Sequence, residues 1–328
     1  MKFKISDTLI LFITLILFIS MMVVLNGTQF FKMQNIQSMA YQLPELGILS
    51  LAMMIAMLTG GINLSIIAST NLSSIVIALV LSRMLGADMS TSGSLGSIIL
   101  AIAAGICVSG VIGLLNGFLI AYIEVSPILA TLGTMTLLKG ISIVLTKGYV
   151  ISGFPPMILS IGNGAIFGFP VPMLIFLVFA GLMALVLIKT PLGTHIHMLG
   201  SNATACHFSG VDTKKVLMKT YLLSGLYTGI AACIMMSRFN SAKADYGESY
   251  LLMTVLASVL GGVSASGGFG KVSGLVIALV ILQVVSNGLN LLRVNNFLTI
   301  AIWGGILIIV MIANYYFGRQ NNNGKSFR

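Results

Sequence analysis

The residues of this sequence that could take part in binding chemistry are mostly amides and hydroxyls placed inside apolar runs. Asn63 and Ser65 follow the pair Gly60-Gly61, and Asn116 and Asn287 each precede a glycine. An uncharged amide can donate and accept hydrogen bonds, which suits the hydroxyl groups of a sugar. Hydrogen bonding between helices in a membrane is the competing use, and these residue types alone favour it over contact with a solute.

Patterns typical of catalysis or metal binding do not occur in the apolar runs. We find no paired carboxylates, no HExxH motif and no Ser/His constellation there, so we predict no catalytic residue. His195 and His197 have no carboxylate or thiolate nearby at ligand spacing, and Cys107, Cys206 and Cys233 have no pairing pattern. The sequence therefore predicts neither a metal site nor a disulfide.

A glycine-rich stretch that ends in Gly270-Lys271 looks at first like a phosphate-binding loop. The motif GxxxxGK[ST] needs glycine at position 265 and serine or threonine at position 272, but those positions hold Ala265 and Val272. We therefore predict no bound nucleotide or other cofactor in this chain. Any ATP and Mg²⁺ would be bound by a partner.

The elements that must position these residues are membrane-spanning helices. Of the 328 residues 57% are hydrophobic and 7% are charged, whereas about 25% are charged in an ordinary soluble domain. This predicts an all-α polytopic transmembrane helix bundle, a single domain over residues 1–328 with about ten spans and at least one interrupted helix, at Gly60-Gly61. The predicted spans are 7–26, 44–59, 62–82, 95–122, 127–146, 169–188, 217–236, 250–265, 272–291 and 296–317.

The net charge of +10 comes from basic residues that lie between the apolar runs and form no nucleic-acid-binding patch. If both termini are cytoplasmic, ten Lys and Arg residues fall inside and six outside, with Lys139 left in a span. Positive charge is enriched in cytoplasmic loops, so this orientation is the one we predict.

The polar stretch 189–216 is predicted to lie in the cytoplasm and to contain a short isolated helix. Asn202 can cap a helix of two turns over 203–209, and Gly210 can end it in the left-handed conformation. A helix this short is not stable alone, so it must dock on another surface. That surface is either a partner protein or the cytoplasmic end of the bundle itself.

Several motifs of this loop and of the rest of the chain resemble those of ribose-type ABC sugar permeases. In the loop they are Pro191-Leu192-Gly193, Gly200-Ser201-Asn202, Ala205-Cys206 and Ser209-Gly210-Val211. Elsewhere they are Gly60 to Ser65 (GGIDLS in the family), Asn116-Gly117, Thr131 to Thr134, Gly261 to Gly270 and Asn287 to Asn290. The sequence departs from the family at Asn63, where the family has Asp, and at Cys206, where it has Ala.

The resemblance implies a permease subunit of an ATP-driven importer, located with both termini cytoplasmic in a bacterial inner membrane. Its partners would be an ABC ATPase, a second copy or related permease, and a periplasmic binding protein that delivers a small sugar. A ribose-like pentose, another monosaccharide and a furanosyl compound of the autoinducer-2 type all stay open. The alternative is an ion-coupled secondary transporter, which would need ionisable groups within its spans, whereas nearly all seven Asp and Glu lie near span ends.

The resemblance also implies roles for particular residues. The coupling helix would contact the ATPase through Gly200, Asn202, Ala203, Ala205, Cys206, Ser209 and Gly210. Candidate residues of the translocation pathway are Gly60, Gly61, Asn63, Ser65, Asn116 and Asn287. Lys243 and Asp245 lie in an external segment that would dock the binding protein or simply form a wetted loop.

Overall fold

The computed structural model describes residues 7–85 and 95–323, and this part of the chain is an α-helical bundle. Its helices are α1 (Asp7–Asn26), α2 (Met33–Leu58), α3 (Ile66–Leu85), α4 (Leu95–Ala121), α5 (Pro127–Thr146), α6 (Pro156–Asn163), α7 (Val171–Lys189), α8 (Pro191–Ser201), α9 (Ala203–Phe208), α10 (Thr213–Phe239), α11 (Tyr250–Leu260), α12 (Val272–Leu291) and α13 (Asn296–Asn323). Two short antiparallel pairs join β1 (Ile151–Ser152) to β4 (Ser241–Ala242) and β2 (Ala165–Ile166) to β3 (Phe169–Pro170). The predicted all-α fold is confirmed.

Eight of the described helices are long and apolar enough to cross a membrane, namely α1 to α5, α7, α10 and α12. The predicted span 296–317 lies within α13, of which Phe297–Ile309 is a shorter apolar stretch. The predicted span 250–265 is wrong as a complete helix, because α11 has only 11 residues. At 1.5 Å per residue it covers about 16 Å, roughly half of a hydrocarbon core.

Helix α10 lies at the centre of the bundle and packs along α4, α2 and α3. Glycines allow the close approach to α4. A methyl group on Gly113 would lie 2.3 Å from the carbonyl oxygen of Tyr221, and one on Gly225 would lie 2.4 Å from that of Ser109. Both distances are far below van der Waals contact, so glycine is required at these crossings, as is common in membrane bundles.

Two helices, not one, occupy the loop between α7 and α10. Pro191 opens α8, which the sequence analysis did not anticipate, and Thr190 accepts a hydrogen bond from the Gly193 amide. The predicted short helix is present as α9, with the Asn202 side chain capping it through the Ala205 amide at 2.9 Å. Gly210 has φ +79°, the left-handed conformation predicted for the residue that follows the helix.

Candidate functional site

Residues 59–65 form a partly buried turn between α2 and α3, in which Gly61, Asn63 and Ser65 are buried and Gly60 is exposed. Gly60 has φ +85°, and the Gly61 amide donates back to the Ala56 carbonyl, which closes the end of α2. Along α2, Ala52 contacts Ser224 of α10 and the earlier Glu45 pairs with the later Arg238, so α2 runs antiparallel to α10. Along α3, Thr70 contacts Thr228 and Asn71 bonds to Ala244 beyond the end of α10, so α3 runs in the direction of α10. The break predicted at Gly60-Gly61 is therefore present, but it joins two full-length antiparallel helices and does not divide one span. The incomplete crossing is α11.

Polar side chains that follow this turn form one hydrogen-bonded group with α4 and α10. The Asn63 amide donates to the Ser224 hydroxyl at 3.0 Å, and the Ser65 hydroxyl donates to the Asn63 carbonyl oxygen at 2.8 Å. The Asn116 amide donates in turn to the Ser65 hydroxyl at 2.8 Å. We call these four residues, together with Tyr221, which lies one turn before Ser224 on α10, the polar seam. Each of them is at most 2% exposed.

Two atoms of the polar seam have no hydrogen-bond partner among the described residues: the Asn116 Oδ1 oxygen and the Tyr221 hydroxyl. The Tyr221 hydroxyl lies against Gly61, where a methyl group would come within 2.6 Å of it. A buried polar group without a partner costs about 1–3 kcal/mol, so such atoms in a native structure call for an explanation. The Asn116 oxygen can accept a hydrogen bond from a small polar solute, and the Tyr221 hydroxyl can donate one.

The turn is also tied to the first helical turn of α5. The Leu64 amide donates to the Thr131 hydroxyl at 3.1 Å, and that hydroxyl also lies 3.1 Å from the Ile62 carbonyl oxygen. Asn287, by contrast, is buried on α12, which packs mainly against α1 and α2. The structure therefore brings Gly61, Asn63, Ser65 and Asn116 together and leaves Asn287 in a different part of the bundle.

Backbone contacts join the turn to the loop between α7 and α10. The Gly268 amide donates to the Leu58 carbonyl at 2.9 Å, and the Gly268 carbonyl lies 3.0 Å from Nδ1 of His197. Gly200 is inserted at the same place, because a methyl group on it would lie 1.9 Å from the Leu58 carbonyl oxygen. A methyl group on Gly267 would lie 2.6 Å from the Gly60 nitrogen. We call Leu58, Gly60, Gly200, Gly267 and Gly268 the glycine junction.

Most of the surface of helix α9 is exposed and does not pack against the bundle. Asn202, Ala203, Ala205, Ser209 and Gly210 are exposed. Phe208 is 84% exposed, whereas Cys206 is 1% exposed and belongs to the main hydrophobic cluster. Burial raises the pKa of the Cys206 thiol, which therefore stays protonated and acts as a small apolar side chain. Helix α9 is thus held on the bundle by one buried face, while the opposite face is free for another contact.

Lys243 and Asp245 lie in the segment between β4 and α11 and form an ion pair with each other at 3.0 Å. Their side chains are 36% and 46% exposed. Lys139 of α5 pairs with Glu248 of the same segment. The segment between β4 and α11 is therefore charged, partly exposed and paired with α5.

Sequence reasoning missed Tyr221 and Ser224 of the polar seam, and it also missed Glu45. Tyr221, Ser224 and Thr228 lie three and four residues apart on α10, so a polar stripe at helical spacing could have shown that this face meets other polar groups. Glu45 is fully buried in α2 and pairs with Arg238 at 2.7 Å. Glu45 was missed because the predicted span 44–59 put it at a span end, next to Pro44. The helix in fact begins at Met33, so Glu45 lies in its interior.

Comparisons with known proteins identify the family. Residues 35–312 match the family model described as the permease component of branched-chain amino acid transport systems. The chain is 34% identical over 303 residues to the ribose import permease protein RbsC of Bacillus subtilis, covering 92% of this chain and 90% of the relative. It is 32% identical to the Haemophilus influenzae RbsC, covering 94% and 93% of the two chains.

A relative with a different name is the autoinducer 2 import system permease protein LsrD of Yersinia enterocolitica, 32% identical over 273 residues, which cover 81% of this chain and 79% of the relative. No solved structure gave a significant match. The matches extend over nearly the whole chain, and they agree with its many apolar helices. The chain is therefore a multi-pass membrane protein that belongs to the family of ABC transporter permease subunits that includes the ribose and autoinducer 2 import permeases.

Proposed function

We propose that this chain forms the membrane pathway of an ATP-driven importer for a small neutral sugar, and that the solute passes along the polar seam. The observation that carries the proposal is the pair of buried atoms without partners, Asn116 Oδ1 and the Tyr221 hydroxyl. A sugar hydroxyl can donate to the first and accept from the second. The names of the relatives, which import ribose and autoinducer 2, support the same solute class.

An amino acid is the other solute that the family description raises, because that description names branched-chain amino acids. A zwitterion leaves water only if its carboxylate and ammonium groups find charged or strongly polar partners. The polar seam offers neutral amides and hydroxyls, and Asn63 occupies the position at which the ribose-type permeases have an Asp carboxylate. A neutral polyol matches these groups better than a zwitterion does, and a ribose-like pentose, another monosaccharide and a furanosyl compound all fit that description.

The movement that ATP hydrolysis causes in a partner ATPase would be transmitted to the pathway through α9 and the glycine junction. The exposed face of α9, which includes Asn202, Ala203 and Ala205, would sit on a partner ATPase that binds ATP and Mg²⁺. Movement of α8 and α9 would be transmitted by Gly200 to the end of α2, and from there to Asn63, three residues beyond Gly60. A second copy of this chain, or a related permease, would complete the pathway on the other side.

The orientation proposed here places both termini in the cytoplasm of a bacterium and α9 at the cytoplasmic face of its inner membrane. The segment with Lys243 and Asp245 then lies outside, where a periplasmic binding protein would dock and release the sugar. Their exposure supports a docking role, and so does their mixed charge. Reversing both charges should weaken uptake that depends on the binding protein, and unchanged uptake would remove this part of the proposal.

The ion-coupled alternative would require a titratable group that a cation can reach inside the bundle. Among the described Asp and Glu residues only Glu45 is buried, and it is already paired with Arg238 at 2.7 Å. A carboxylate neutralised in this way is a poor cation site, because a second positive charge would compete with the guanidinium. No described feature favours the alternative.

Reconstitution tests the proposal directly. The permease would be placed in proteoliposomes with its ATPase, and uptake of radiolabelled D-ribose, D-xylose and D-galactose would be measured in the presence of the binding protein. We expect uptake of at least one sugar to need ATP and to stop with a hydrolysis-defective ATPase. Uptake that persists without ATP hydrolysis but collapses when the ion gradients are dissipated would refute the proposal and establish the ion-coupled alternative.

A further inference from the structure

We propose that a cavity between the end of α10 and the start of α11 is a second monosaccharide site, which receives the sugar before it reaches the polar seam. The cavity has a volume of about 390 Å³ and is lined by Phe239, Ser241, Tyr246, Gly247, Ser249 and Tyr250. This inference rests on the proposed sugar transport, and it concerns a group of residues that shares no member with the polar seam.

The walls of the cavity have the residue types that bind a sugar. Phe239 and Tyr246 form a tilted aromatic pair with ring centroids 5.3 Å apart, and they offer apolar faces for the C–H groups of a sugar ring. The Ser241 hydroxyl donates to the Phe239 carbonyl at 3.0 Å and lies 2.8 Å from the Tyr246 hydroxyl, which then donates to it, so both hydroxyls keep the capacity to accept a hydrogen bond from a ligand. The Ser249 side chain does not cap α11 and is exposed, so its hydroxyl can bond to a ligand.

A buried charged group fixes one wall of the cavity. The Tyr250 hydroxyl donates to Oε1 of Glu45, and Arg238 pairs with the same carboxylate oxygen at 2.7 Å. The other oxygen, Oε2, is buried without a hydrogen-bond partner among the described residues. This arrangement holds Tyr250 in one position and places Arg238 over the Phe239 ring, 5.6 Å from its centroid. The aromatic walls are therefore preorganised, which lowers the entropic cost of binding.

Charged side chains beside the cavity indicate that it faces water and not lipid. Lys243, Asp245 and Glu248 belong to the segment that encloses it, and their side chains are between 36% and 57% exposed. Charged groups at this exposure would be costly in a hydrocarbon core. The segment is also the one that we propose as the docking surface for the binding protein, so a sugar released there would meet this cavity first.

Size and polarity limit the ligand to a small neutral molecule. Ligand sites usually measure about 300–1,000 Å³ and combine apolar walls with a few polar groups. A volume near 390 Å³ is at the lower end of this range, which suits a monosaccharide and not an oligosaccharide. Among the described residues no cationic group lines the cavity, and the nearby Arg238 is already paired with Glu45, so these residues offer no counter-charge to a phosphorylated sugar.

Saturation-transfer NMR on the full-length permease in nanodiscs, without binding protein or ATPase, tests this site. The probes are D-ribose, D-xylose, L-arabinose and D-galactose. We expect at least one of them to bind the wild-type protein. Tyr246→Leu keeps apolar bulk but removes the ring and the hydroxyl, and it should weaken binding at least tenfold. Ser249→Ala alters an exposed side chain without risk to folding, and it should weaken binding about threefold, the loss of one hydrogen bond of modest strength.

Phe167→Ala is the matched control, because this fully exposed aromatic residue lies in the β2–β3 hairpin and does not line the cavity. It should leave sugar binding unchanged. The site is refuted if no probe binds while reconstituted uptake is intact, a result that leaves the proposed function standing. It is also refuted if Asn116→Ala abolishes binding and the cavity variants do not, since the sugar would then bind in the polar seam. Altered binding-protein affinity with no sugar binding would assign the cavity to docking.

Discussion

Gly200→Ala should uncouple ATP hydrolysis from sugar transport. Gly200 lies in the last turn of α8, where its Cα faces the hydrogen bond between the Gly268 amide and the Leu58 carbonyl. The added methyl group would lie 1.9 Å from the Leu58 oxygen and 2.4 Å from the Gly268 nitrogen. Both atoms belong to the backbone, so neither can move aside by a change of rotamer. The variant must separate α8 from the end of α2 or break that bond.

The magnitude follows from three effects. Loss of the hydrogen bond costs about 0.5–1.5 kcal/mol, and forced overpacking costs about 1–3 kcal/mol. Alanine has a higher helix propensity than glycine, which offsets about 1 kcal/mol of this cost. The net cost to the contact is therefore about 0.5–3.5 kcal/mol, equivalent to roughly a 2- to 300-fold shift in the equilibrium between the coupled and separated arrangements.

The assay is the number of sugar molecules transported per ATP hydrolysed in proteoliposomes. We expect the ATPase rate to stay close to that of wild type while the number of sugar molecules transported per ATP falls at least about twofold. Gly181→Ala is the matched control, since Gly181 lies in α7 and a methyl group there would meet no atom within 4 Å. A Gly200→Ala protein of normal thermal stability that transports as many sugars per ATP as wild type would refute the coupling role of the junction.

Three further predictions concern single side chains. Asn63→Asp removes the donor to the Ser224 hydroxyl and puts a charge in a site that is 2% exposed, so sugar uptake should fall at least tenfold. Unchanged uptake would exclude a role for the neutral amide. Asn202→Ala removes the cap of α9 at a cost of about 1 kcal/mol and should weaken ATPase binding severalfold in a pull-down titration, whereas Asn202→Asp should restore it. Hydrogen bonds from the Lys215 amide and side chain lower the pKa of Asp212, so the stability that it gives α10 as a cap is present above the ordinary pKa near 3.8 and is lost as the pH falls below it. The melting temperature of Asp212→Asn should lack this part of the decrease on acidification.

The long helices and the ends of α9 were predictable because each depends on nearby residues. Long apolar runs set the spans, and Asn202 and Gly210 have the side chain and the backbone freedom that a short helix needs at its two ends. Helix α8 was not predicted, because proline and glycine, which stand at positions 191 and 193, usually mark the end of a helix. Proline is in fact well tolerated in the first turn of a helix, where its missing N–H would have no partner.

The polar seam was only partly predictable, because it depends on which helices become neighbours. Asn63, Ser65 and Asn116 could be named from the sequence, but their common partner Ser224 lies about 160 residues away from Asn63 along the chain. Asn287 has the same local pattern as Asn116, an amide before glycine, yet it lies on α12 away from this group. Local pattern gives the chemical capability of a side chain, and only helix packing decides what that side chain meets.

The incomplete crossing of α11 and the glycine junction have one physical cause. A helix of 11 residues that ends inside the bundle leaves backbone groups that must find partners in protein, since lipid offers none. The amides of Gly261, Gly262 and Val263 bond to carbonyls in the last turn of α11 and so close its end. The same glycine-rich segment continues to Gly267, which approaches Gly60 and Gly200 without side chains between them, and to Gly268, which donates to Leu58. The segment that ends this short helix therefore also connects the loop between α7 and α10 to the turn that carries Asn63.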